Sequence, residues 1–167
     1  TANEGDAREG YGAGIADPKG SVTVVDVAAL TSEVVGFDAF DTRRDELAAS
    51  GVVLKKGAAP SADLEPEYIA VSGGKAYITL QENNAIAVLD LASRTFDGIY
   101  SAGFEDYGVT PIDIDKKDDA YAPKTYGSLM GIRMPDAIAA VQAEGKTYLV
   151  TANEGDAREG YGAGIAD

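Results

Sequence analysis

Seventeen residues, TANEGDAREGYGAGIAD, stand at positions 1–17 and recur unchanged at 151–167, a period of 150. A looser self-similarity lies inside that period. The stretch PEYIAVSGGKAYITLQENNAIAVLDLA, 66–92, aligns with PDAIAAVQAEGKTYLVTANE, 135–154, continued by GSVTVVDVA, 20–28. In this alignment Pro135 matches Pro66, Ile138 matches Ile69, and Gly145-Lys146 matches Gly74-Lys75. Tyr148 matches Tyr77, and Asp26 matches Asp90. Self-similarity at this scale marks a repeat architecture, in which each unit buries its faces only against its neighbours.

Each unit reads as four short strands. EYIAV, KAYITLQ, AIAVLDL and FDGIYSA are rich in β-branched and aromatic residues, the types that fit a pleated surface. Gly73-Gly74 separates the first two, where a two-residue hairpin needs positive φ, and Glu82-Asn83-Asn84 makes the next turn. The other unit supplies DAIAAVQ and KTYLVTA, then SVTVVDV and TSEVVGF. Four antiparallel strands per unit predict an all-β protein, a β-propeller of four-stranded blades. Residues 66–104 are a complete blade, 135–154 the first half of a blade and 18–37 the second half, about two blade-equivalents in 1–167. The insertion 37–51 predicts one short amphipathic helix, capped by Asp38 or Asp41, with Phe40 and Leu47 on its apolar face and Gly51 beyond its end. Residues 105–127 read as a polar, acidic loop. Tyr77 and Tyr148 read as core residues.

Propellers close with about 4–8 blades, so two blade-equivalents predict assembly rather than closure within one chain. The expected partner is the chain itself, joined head to tail by strand exchange between half-blades, as a trimer or a tetramer. A symmetrised, engineered sequence accounts most simply for the identity of the two seventeen-residue copies, and a natural tandem array comes second.

The net charge is −14, which disfavours nucleic acid and anionic membranes as partners. No apolar run approaches the ~18 residues that span a bilayer, and no signal peptide is recognisable. The chain has no Cys and no His, which excludes disulfides, thiolate or imidazole metal sites and Ser-His-Asp triads. A metal would need oxygen ligands, favouring Ca²⁺ or Mg²⁺. Starts of first strands and ends of second strands lie at one end of an antiparallel pair. Glu65 and Glu67 flank Pro66 there, near Glu82 and Asn83. Asp136 follows Pro135, near Asn153, Glu154 and Asp156, a set that Asn3, Glu4 and Asp6 repeat. These carboxylates and amides are candidate cation ligands, or alternatively caps of their turns. DIDKKDDAY, 113–121, lacks the Gly and final Glu of a calcium-binding helix–loop–helix and reads as a solvated loop. Gly10, Gly12 and Gly14 do not spell a phosphate-binding fingerprint.

The motifs DLEPEYIAV, YITLQENNAIAVLDL, LMGIRMPDAIAA and TYLVTANEGDAR resemble the choice-of-anchor I β-propeller domain of bacterial secreted and surface proteins, some described as alkaline-phosphatase-like. They are also similar to the propeller of an echinoderm mesenchyme-specific cell-surface glycoprotein. The resemblance spans about 21–158 and implies a propeller fold and an extracellular or cell-surface setting. Two functions follow from the residues and the resemblance together. One is a non-catalytic scaffold or binding module, with Ca²⁺ at its acidic loops. The alternative is a metal-dependent phosphoesterase, alkaline-phosphatase-like or phytase-like, with an acidic central site. Such an enzyme needs cations to hold its anionic substrate, and only Arg8 and Arg158 stand near the carboxylates in sequence.

Overall fold

A computed structural model describes residues 1–5, 18–115 and 120–155. Its order is β1 (Ala2–Asn3), β2 (Ser21–Asp26), β3 (Thr31–Gly36), a helical insertion, β4 (Ile69–Ser72), β5 (Lys75–Leu80), β6 (Ala85–Asp90) and β7 (Thr95–Ser101). There follow β8 (Phe104–Asp106), β9 (Met130–Ile132), β10 (Pro135–Ala143) and β11 (Lys146–Asn153). Every pairing is antiparallel. β4-β5-β6-β7 form one four-stranded meander, β1-β2-β3 a three-stranded sheet, and β10-β11 and β8-β9 two-stranded sheets. Among the described residues these sheets close into no ring.

The turns explain the shared pattern of the two units. Gly73 and Gly74 take φ of +58° and +77°, and Glu144 and Gly145 take +50° and +72°. Two successive positive values twist the hairpin in the sense its strands require. The later turns also match. Asp26 accepts hydrogen bonds from the backbone N–H groups of Ala28 and Ala29, and Asp90 from those of Ala92 and Ser93. Leu30 and Arg94 then close each turn at φ of +55° and +59°. Bonds from the Ser93 and Ala92 backbones hold the Asp90 carboxyl below its ordinary range.

Alternation along β5 and β6 gives the central meander two different faces. Ala76, Ile78, Leu80, Ala85, Ala87 and Leu89 form one face, buried against Val22, Phe37, Phe40 and Leu47. Three rings hold this contact: Phe96 stacks on Phe37 at 4.5 Å between centroids and meets Phe40 edge-on at 6.1 Å. Ser72 and Tyr77 belong to the opposite face, where β10 lies; there Gln142 donates to the Ser72 hydroxyl. The meander is thus packed on both sides, by β2–β3 with the insertion and by β10–β11.

The one short helix expected in the insertion is present as α1, Arg44–Ala49, entered through a 3-10 segment, Asp38–Arg43. Three other expectations are corrected. Neither Asp38 nor Asp41 caps the helix. Asp41 instead accepts from the Ser61 N–H and hydroxyl, at 2.8 and 2.9 Å, and Asp38 pairs with Lys19. Phe40 and Leu47 are buried as expected, and Gly51 follows the helix at φ of +95°. The stretch 105–127 is not all loop: β8 pairs with β9 at its base, and Ile112 bridges Lys124. Tyr148 is no core residue, being 45% exposed on the outer face of β11.

Gly20 joins β2 to the 64–66 segment. A Cβ there would lie 2.0 Å from the Leu64 carbonyl oxygen and 2.8 Å from Pro66 Cδ. Gly20→Ala is therefore expected to cost about 1–3 kcal/mol by overpacking. Gly127→Ala, at a position with open space around it, is expected to cost little. Urea midpoints of the two variants measured side by side check this.

Candidate functional site

The acidic site is built on a turn. Asn83 and Asn84, fully buried, stand between β5 and β6 and anchor both flanks. The Asn83 amide donates to the Val53 and Asp63 carbonyls at 3.0 and 2.9 Å, and its Oδ1 accepts from the Glu65 N–H. Asn84 Oδ1 accepts from the Arg133 and Met134 N–H groups, both at 3.0 Å, and its amide donates to the Gly103 carbonyl. One turn therefore fixes the strap before β4 and the approach to β10.

These anchors bring the starts of β4 and β10 together. Pro66 and Pro135 are both buried, and each is followed by a carboxylate, Glu67 and Asp136. The Glu67 N–H donates to the Thr79 carbonyl, which extends the β4 ladder past Ile69. Glu67 is half-buried and hydrogen-bonded to Asp136. Its pKa is pushed up from 4.5 to about 8. Burial is the largest cause, followed by the charges of Glu4 and Asp136, the bond with Asp136, and Glu82. A half-buried carboxylate beside other carboxylates loses its proton only at higher pH.

The expected proximity of Glu67 to Glu82 is present in that field, and Asp136 adjoins the pair Pro135–Asn153. What strand reading alone did not predict is the direct meeting of Glu67 with Asp136, on two different sheets. Glu4, just past β1, adds charge from a third sheet. Glu154 hydrogen-bonds Gln81, a residue missed in the sequence, tying the end of β11 to the β5–β6 turn. Asn153 accepts from the Thr151 hydroxyl at 2.9 Å. Glu65 is buried and lies 3.5 Å from Lys55, another residue the sequence did not single out. Asn83 holds backbone, as described above. Asp6, Arg8, Gly10, Gly12, Gly14, Asp156 and Arg158 lie outside the described residues. Asp113 binds the N–H groups of Asp115 and Ala122, as an acidic turn does. Among the described residues no three carboxylates approach closely enough to hold one ion, and no helix is long and apolar enough to cross a membrane.

The raised Glu67 pKa sets a pH dependence. The folded chain holds a proton on Glu67 that the unfolded chain releases near pH 4.5, so its stabilising effect is complete below that pH and is lost as pH rises through about 8. Glu67→Gln removes this component. Wild type is expected to lose about 1–2 kcal/mol more than the variant between pH 5 and 9, the full shift being discounted because the group is half in solvent. Urea unfolding of both proteins at several pH values measures the difference.

The family model described as the choice-of-anchor I domain matches residues 1–166. No curated protein matches the chain. No solved structure matches it.

Proposed function

The chain belongs to the choice-of-anchor I family, which points to association with the cell surface, and on that premise we propose that it is a section of a non-catalytic β-propeller scaffold. The serial stacking of sheets supports this reading: β2–β3, the four-stranded β4–β7 and β10–β11 lie face against face. A propeller is that arrangement continued around an axis. The partner proposed is the chain itself, joined head to tail in a trimer or a tetramer.

The binding end of the scaffold is where Glu67 meets Asp136, with Glu4 and Glu82 adding charge. A surface of this sign attracts cations and basic groups and repels phosphate esters. Of the described cations, Lys55 is tied to Glu65, and Lys75 to Asp90 and Asp97. The net charge of −14 favours the scaffold over a phosphoesterase. Ca²⁺, or Mg²⁺, is the cofactor proposed for this end. It would compete with the proton on Glu67, with oxygen ligands only. Calorimetric titration with Ca²⁺ at pH 7, in buffers of different ionisation enthalpy, tests this. The expected result is binding coupled to proton release, weakened roughly tenfold or more by Glu67→Gln. Absence of binding heat in every buffer, with the chain folded and assembled, would refute the cation and leave a scaffold alone.

A further inference from the structure

Lys55 and Glu65 stand on the strap between the helical insertion and β4, and both are held inside the fold. Their side chains are 13% and 5% exposed, with Nζ 3.5 Å from Oε1. Asp63, between them in sequence, is wholly buried. The backbone on each side of the pair is fixed. The Lys55 N–H donates to Asp63 Oδ2 at 2.8 Å, and the Lys55 carbonyl accepts from the Arg44 guanidinium at 2.9 Å. Val53, two residues earlier, exchanges hydrogen bonds with Asn83: its N–H donates to the Asn83 carbonyl, and its own carbonyl accepts from the Asn83 amide. The Glu65 N–H donates to Asn83 Oδ1 at 3.1 Å. One buried asparagine thus grips the chain on both sides of the pair.

We propose that Lys55 and Glu65 become joined by an isopeptide bond between Nζ and Cδ. The step needs no reagent from outside. One proton passes from the ammonium to the carboxylate, the freed lone pair of Nζ attacks Cδ, and a Cδ–O bond breaks. The departing oxygen leaves as water, taking a second proton from Nζ. One N–C bond replaces one C–O bond, and nothing is oxidised or reduced.

Three features of the strap favour this bond. Two ionised groups are costly to take out of water, and the amide carries no charge. The surface pair Lys75–Asp97, with side chains 37% and 39% exposed, keeps its hydration and stays an ion pair. The anchors on Val53, Lys55 and Glu65 also hold amine and carboxyl in contact. Such fixing raises effective concentration to about 10⁵–10⁸ M in well-oriented cases, which offsets the water that opposes condensation. Burial then excludes the water that would hydrolyse the product. The bond closes the strap 55–65 into a covalent loop beside the Asn83 turn, and it consumes Glu65, a candidate cation ligand in the sequence. Neither Glu67 nor Asp136 takes part, so the bond stands or falls apart from the cation and from the assembly.

Mass spectrometry tests the bond directly. The purified, folded chain is kept at neutral pH and then measured under denaturing conditions. The expected mass is one water below that of the sequence. Digestion with trypsin is expected to give residues 45–56 and 57–75 as one branched species, since an acylated Lys55 is no longer cleaved. Lys55→Met and Glu65→Ala are each expected to show the full mass of their own sequences. Lys56→Met, at an exposed neighbour, is expected to keep the loss of water. A wild-type chain at its full sequence mass would overturn the proposal, whether or not the variants fold. So would a loss of water mapped elsewhere, as to a succinimide at Asp97-Gly98, or one that persists in Lys55→Met.

Discussion

The buried asparagine pair at the β5–β6 turn is the constraint on which the rest of the structure depends. Asn83 and Asn84 place six side-chain hydrogen bonds on backbone groups far away in sequence, from Val53 to Met134. None of those groups lies in a sheet with the turn itself. A buried N–H or C=O left without a partner costs about 1–3 kcal/mol, so the two amides act as a clamp. On one side they hold the strap that carries Lys55 and Glu65. On the other they hold Gly103 and the Arg133–Met134 step into β10.

The clamp determines where the charges meet. Each first strand begins with a proline and a carboxylate, and each is drawn back to the same turn. Glu67 and Asp136 therefore face one another although they belong to different sheets. The half-buried setting and the neighbouring carboxylates then keep a proton on Glu67 near neutral pH. The cation proposed above would compete with that proton.

Much of this was legible in the sequence where the cause is local. Gly73-Gly74 and Asp90 announce their turns because each residue's own backbone preference or short side chain makes the turn. The same logic located Gly145 and Asp26. The strands followed from β-branched alternation within a residue or two. Long-range causes were not legible in this way. Asn83 looked like a ligand because its amide suits one, but its partners lie 18 to 30 residues away. Asp41 looked like a helix cap, and is bonded instead to Ser61. Tyr148 matches Tyr77 in sequence, yet one lies in a complete sheet and the other on an outer face; the difference is a neighbouring sheet, which no local pattern encodes. Family resemblance reached further than local reading, since it correctly named the family across nearly the whole chain.

On the scaffold proposed above, the chain assembles with further copies of itself. Molar mass in solution, by light scattering on a size-exclusion column, tests it most directly. A mass of three or four times the 17.2 kDa of one chain is the predicted result. A folded species at 17.2 kDa would contradict it.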